Sequence, residues 1–137
     1  MVFFGKPSCG GNARQRARLR ASGHEVDERD LFTARWTAAE LLTFLDDLAP
    51  ADWFNPSAVR VKSGEIRPAS FGRAEAMSLL LADPRLIRRP LLEVAGQRFA
   101  GWDEARLHAL IGLDGRGAPV TEACAHPSAC DPDQAPA

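Results

Sequence analysis

A short apolar run, Val2-Phe3-Phe4, passes through Lys6-Pro7-Ser8-Cys9-Gly10-Gly11-Asn12 into Ala13-Arg14-Gln15-Arg16-Ala17. This order predicts a buried strand that hands over, through a tight turn, to a helix starting beside a single thiol. A chain that begins this way needs further strands to pair with the first and a face on which the helix can pack. The same placement has chemical consequences. A helix start presents unpaired N–H groups and a partial positive charge, and both favour thiolate over thiol. Thiolate is the reactive form of cysteine. A free cysteine also packs well as a small buried residue, but Pro-Ser before Cys9 and two glycines after it favour an accessible turn.

The rest of the chain supplies those elements. Residues 2–5 read as the strand and 10–22 as the helix, closed by Gly23 at its C-terminal cap. His24 to Glu28 reads as a second strand from its place between helices. Thr37 and Glu40 form a capping box ahead of a stripe of Leu41, Leu42, Leu45 and Leu48. Residues 51–68, rich in Pro and Gly, read as irregular with a short helix around Ser57 to Val61. From Phe71 to Ala82 the stripe is Ala74, Met77, Leu80 and Leu81, closed by Asp83-Pro84. Two runs flank Ala95-Gly96 as a hairpin, and Asp103 and Glu104 open a last helix with Leu107, Leu110 and Ile111. The expected fold class is α/β: a thioredoxin-like four-stranded mixed sheet with an inserted helical region between residues 37 and 82.

With 137 residues and 45% hydrophobic content, the chain is expected to form one domain over residues 1–113. Residues 114–137 hold four prolines, two glycines and six alanines, with Val120 the only large aliphatic side chain. They read as a disordered, acidic Ala/Pro-rich tail that cannot offset its ordering entropy. All but one of the 17 basic and all but four of the 18 acidic side chains precede this tail. The body is therefore weakly basic, without the concentrated charge of a nucleic-acid binder. No apolar span is long enough for a membrane, so a cytoplasmic protein is expected. An odd count of three cysteines argues for thiol chemistry over a disulfide framework. Cys124, His126 and Cys130 are metal ligands in type but lack a fourth. No metal is assigned, and a tail cysteine serving as resolving thiol for Cys9 is the stronger alternative. Trp36, Trp53 and Trp102 read as structural. Arg14, Arg16, Arg18 and Arg20 spread around the first helix as solvated charges, with docking on an acidic partner as the sharper option. The apolar face of that helix reads as Leu19 with alanines.

Pro7-Ser8-Cys9, Ala21-Ser22-Gly23-His24-Glu25-Val26, Trp53-Phe54-Asn55 and Leu86-Ile87-Arg88-Arg89-Pro90-Leu91-Leu92 together resemble the arsenate reductase (ArsC/Spx) family, most closely its nitrogenase-associated subgroup. The resemblance spans residues 2–112. It implies that Cys9 is the catalytic nucleophile toward an arsenate-like oxyanion, that Arg89 helps to hold the anion, and that Pro90 is a cis-proline facing the cysteine. Amides of Gly10, Gly11 and Asn12 suit the same anion. The family's second anion arginine falls on Pro56, with Arg60 one turn away as its substitute, and the third falls on Gly101-Trp102. The redox-sensing branch uses Cys-x-x-Cys, whereas Asn12 stands at the second position and excludes that local disulfide.

Two function classes follow. One is an arsenate-reductase-like thiol oxidoreductase or oxyanion binder, with no cofactor beyond glutathione as a co-substrate. The other is a non-enzymatic, Spx-like regulator or adaptor that docks on a protein partner.

Overall fold

Three central features position the rest: strand β1 (Val2–Gly5), helix α1 (Gly10–Ala21) and strand β2 (Asp27–Asp30). The structure, a computed structural model, describes residues 1–6 and 10–113. β1 and β2 run parallel, in the register Val2↔Asp27 to Gly5↔Asp30, as a strand-helix-strand unit requires. Strands β3 (Leu91–Val94) and β4 (Gln97–Ala100) add an antiparallel hairpin on the other side of β1, giving the sheet order β2-β1-β3-β4. The fold is thus the expected four-stranded mixed α/β sheet. Ala95 and Gly96 both have positive φ, 51° and 78°, the geometry of a two-residue hairpin loop whose twist matches its strands.

Between β2 and β3 lies the helical insert: α2 (Ala38–Leu45), the single turn α3 (Val59–Lys62) and α4 (Arg73–Ala82). α5 (Glu104–Ile111) closes the described chain and starts where the Asp103 side chain accepts the Arg106 N–H. No described helix is long and apolar enough to cross a membrane.

The sheet separates two apolar clusters. On one face Phe3, Leu19, Leu92, Phe99 and Leu107 pack beneath α1 and α5. On the other, Leu41, Phe44, Trp53, Leu80, Ile87 and Leu91 join the insert to the sheet. Alternation along β1 puts Phe3 in the first cluster and Phe4 against the second. There Phe4, Trp36 and Phe44 meet edge to face, with ring centroids 4.9 to 5.8 Å apart.

Four local expectations are corrected. β2 starts at Asp27, not His24, because β1 sets its register and Asp27 N donates to Met1 O. In α2 the inward residues are Leu41, Phe44 and Leu45, and Leu48 lies beyond the helix. In α4, Ala76 and Leu80 are buried one turn apart while Ala74 is exposed. In α1 the alanines face outward, and the buried side is Gly11, Asn12, Gln15, Arg16 and Leu19. Of its arginines, Arg14 and Arg20 are exposed as expected, whereas Arg16 is buried and Arg18 half-buried; Arg16 and Arg20 both reach Glu28, at 2.9 and 2.7 Å, and Arg18 meets Glu104 at 3.3 Å. These pairs tie α1 to β2 and α5.

Candidate functional site

The C-terminal end of β1 and the first turn of α1 are joined by one buried asparagine. Asn12 Oδ1 accepts the Lys6 N–H at 2.9 Å, and Asn12 Nδ2 donates to Gln15 Oε1 at the same distance. Gly5 makes this approach possible. A Cβ there would stand 2.7 Å from Phe3 Cε1 and 2.9 Å from Asn12 Oδ1. The Asn12 side chain is therefore spent on joining strand to helix, and the backbone amides of Gly10, Gly11 and Asn12 are first-turn N–H groups, which a helix leaves without intrahelical acceptors. That turn contains no acidic side chain of its own to offset its partial positive charge. Pro7, Ser8 and Cys9 lie outside the described residues, as do residues 114–137 with Cys124, His126 and Cys130.

Arg89 and Pro90 arrive at this end of the sheet along β3. The Arg89–Pro90 peptide bond is cis, and Pro90 O accepts the Gly101 N–H at 2.8 Å. Arg89 is 5% exposed, with its guanidinium carbon 5.9 Å from the centre of the Phe32 ring. Phe32 stands just beyond β2, where Asp30 Oδ1 accepts its N–H at 2.8 Å. The segment before Arg89 is held by the distant Trp53-Phe54-Asn55. Asn55 N donates to Leu86 O, Arg88 N donates to Trp53 O, and Phe54 and Ile87 form an antiparallel bridge between them. Two landmarks more than thirty residues apart thus form one short ladder. It anchors the approach to the cis bond.

Arg60 is placed differently. It lies on α3, where its guanidinium pairs with Glu65 and, at 2.9 Å, with Asp83. Hydrogen bonds to Glu65 and then Asp83 hold its proton more firmly than usual. Asp83 ends α4 and also accepts from Arg85 Nε at 2.8 Å. Burial alone would raise the Asp83 carboxyl, but hydrogen bonds from Arg85 and Arg60 outweigh it and hold it below its ordinary value. The Arg60 charge is thus matched by two carboxylates. Gly101, where the third family arginine would fall, has φ of 87° and lies against Pro90. Trp102 beside it is buried in the α1-side cluster.

An open cleft of about 490 Å³ borders the same end of β2, lined by Phe4, Arg29, Asp30, Arg35 and Trp36. No group of three or more His, Cys, Asp or Glu that could hold a metal occurs among the described residues. Sequence reasoning passed over Gly5, Lys6, Phe32 and Asp83. The signal for the first two was available: a glycine closing an apolar strand, followed by a lysine directly before the Pro-Ser-Cys turn.

Comparisons with known proteins bear on the fold. No family model matches the chain. A protein from Rhodospirillum rubrum, known as an uncharacterized 15.7 kDa protein in the draG 3′ region, is 43% identical over 124 residues, covering 90% of this chain and 87% of that one. Among solved structures, an ArsC family related protein from Bacteroides fragilis superposes with a TM-score of 0.70 at 21% identity, covering 80% of this chain and 97% of that one. An arsenate reductase (ArsC) related protein from Brucella melitensis gives 0.59 at 23% identity over 79% and 91%. A "possible arsenate reductase" from Streptococcus mutans gives 0.59 at 26% identity over 71% and 85%.

Proposed function

We propose that this chain, which shares the fold of ArsC-related proteins, is a nitrogenase-associated member of the ArsC family acting on, or binding, a small oxyanion through Cys9. The subgroup is supported by the sequence landmarks and by the relative encoded in the draG 3′ region. One observation carries the chemistry. Arg89, buried and joined to Pro90 by a cis bond, shares the end of the sheet from which the chain enters α1. A guanidinium and a row of helix-start amides together favour a tetrahedral anion and a neighbouring thiolate.

For arsenate the steps balance as follows. The Cys9 thiolate attacks arsenic(V), a sulfur–arsenic bond forms, and the displaced hydroxide leaves as water after taking a proton. A thiol of the glutathione type then attacks the Cys9 sulfur. The electron pair of the sulfur–arsenic bond stays with arsenic, which departs as arsenic(III), and Cys9 is left in a mixed disulfide. A second thiol restores it. Arg35 in the neighbouring cleft suits a carboxylate of such a co-substrate, while Arg29 there is paired with Asp27 at 2.8 Å. The reaction belongs in the cytoplasm, where a reducing thiol pool supplies it, and needs neither nucleic acid nor membrane.

A second reading, a regulator or adaptor that docks on a protein partner, is favoured by the pairing of Arg60 with Glu65 and Asp83. With Arg60 matched by carboxylates, the oxyanion reading relies on Arg89 among the family arginines. Alkylation of Cys9 against pH, with and without arsenate, separates the two. Oxyanion chemistry requires a thiol titrating below the ordinary value of about 8.5, protection by arsenate, and loss of protection in Arg89→Met. The rate of an ordinary thiol, unaffected by anion, rejects it for the second reading.

A further inference from the structure

We propose that the cleft beside β2 holds the α-amino-acid end of the thiol co-substrate, with Arg35 taking its carboxylate and Glu40 its ammonium. The inference rests on the oxyanion reading above and names where the second reactant of that reading binds. The cleft measures about 490 Å³, within the range of about 300–1,000 Å³ common for small-ligand sites. Phe4 and Trp36 give it an apolar lining, and Arg29, Asp30, Arg35 and Glu40 bring its charges.

Two of those charges are already engaged. Arg29 pairs with Asp27 at 2.8 Å and lies 5.8 Å from the centre of the Phe4 ring. Asp30 Oδ1 accepts the Phe32 N–H at 2.8 Å. The other two are open: among the described residues, the side chains of Arg35 and Glu40 form neither a hydrogen bond nor an ion pair, with each other or with a neighbour. Opposite charges that border one cleft without pairing offer a guanidinium and a carboxylate to whatever enters it. A group that matches both is a zwitterion, an α-carboxylate beside an α-ammonium, and the guanidinium fork suits the first of these. A glutathione-type tripeptide carries that group at its γ-glutamyl end. A dicarboxylate or a free phosphate satisfies Arg35 but is repelled by Glu40 and Asp30.

The lining is held in place by its own bonds. Trp36 Nε1 donates to Leu31 O at 3.0 Å, the Trp36 and Phe4 rings meet at 4.9 Å, and Ala34 N donates to Asp30 O at 3.2 Å. Thr37 Oγ1 accepts the Glu40 N–H at 3.1 Å, which fixes where α2 starts. The strand register gives the cleft its place. Gly5 pairs with Asp30, and Leu31 N donates to Gly5 O at 3.0 Å. The cleft therefore opens one strand spacing, about 4.8 Å, from the residue after which the chain turns toward Cys9 and α1. An extended tripeptide spans about 10 Å, enough to carry its central thiol across that spacing while its γ-glutamyl end stays in the cleft.

Calorimetric titration of the full-length reduced protein with S-methylglutathione, whose blocked sulfur cannot enter exchange, tests the cleft. Arg35→Gln and Glu40→Gln are each expected to weaken binding about three- to fivefold, the size of an exposed ion pair. Both side chains are exposed, so neither variant disturbs the core. N-acetylation of the probe removes its ammonium. It should weaken binding to the parent by the same factor and change nothing further in Glu40→Gln, because both changes break one contact. Equal affinity in the parent and both variants, or a parent that does not bind the probe, overturns the cleft as this site. Arsenate protection of Cys9 in the parent judges the oxyanion reading separately. Protection together with unchanged probe binding in both variants strikes out the cleft alone. Absent protection, with probe binding that still depends on Arg35 and Glu40, strikes out the oxyanion reading and upholds the zwitterion site.

Discussion

The two faces of the sheet are held by different forces. Beneath the insert, large apolar side chains meet: Trp53 is 1% exposed, its indole N–H reaches both Leu45 O and Leu48 O, and three aromatic rings interlock around Phe4. On the other face the sheet is also apolar, but the side that α1 itself buries is mostly polar. Asn12, Gln15 and Arg16 are buried there, with Leu19 the one large apolar residue that the helix buries. The insert can rest on area because it serves as scaffold. α1 is positioned instead through Asn12, which binds Lys6 N and Gln15 Oε1, and directional bonds fix such a position better than oily contact does.

Three substitutions probe that contrast, in order of expected effect. Trp53→Ala removes the largest fully buried side chain of the insert and both indole bonds. It should lower stability by about 3–5 kcal/mol, read as a fall in urea midpoint, and a loss below about 1 kcal/mol would refute apolar burial as the main support of this face.

Asp83→Asn tests the cluster of charges that Asp83 forms with Arg60 and Arg85 in the insert. The folded-state pKa of Asp83 is depressed, so the native protein binds fewer protons there than the unfolded chain. The resulting stability is present above the unfolded carboxylate value of about 3.9 and is lost as pH falls through the folded one. The variant should therefore be weaker at neutral pH by about 1.5–3 kcal/mol. Its deficit should shrink as the solution is acidified, and a constant deficit from pH 7 to 3 would show that the charge is not the cause.

Gly5→Ala acts on the α1 side. The added methyl meets Phe3 and Asn12 at less than contact distance, which costs about 1–3 kcal/mol. Near-neutral stability with an unmoved Asn12 amide signal would mean that the joint between β1 and α1 is looser than described.

The sequence reveals the two regions unequally. Thr37 caps α2 through its side chain to Glu40 N, and the hairpin at Ala95-Gly96 has the expected two-residue turn, because each follows from local chemistry. β2 is an edge strand reading Asp-Glu-Arg-Asp. With both its polar side chains and its register dictated by β1, no apolar alternation marks it. The outward alanines of α1 mislead for a related reason: its buried face is polar, and only the ion pairs with Glu28 and Glu104 show why that face can be inside. At the candidate site, Arg89 and Pro90 were legible through family resemblance. Arg60 was legible as a cation but not as one already matched by Glu65 and Asp83, since that depends on where α4 ends. Lys6 stood in plain view inside the motif, and only its burial distinguishes it from an ordinary surface lysine.

The ladder joining Trp53-Phe54-Asn55 to Leu86-Ile87-Arg88 has a consequence for how such chains can diverge. Because both ends of the intervening stretch are stitched side by side, that stretch is a closed excursion whose mouth is fixed. Its outermost residues, Lys62 to Glu65, are solvent-exposed. Lengthening a loop costs only about 0.6 kcal/mol for each doubling, so insertions at this tip enlarge the excursion without transmitting strain to the arginine and proline at its base.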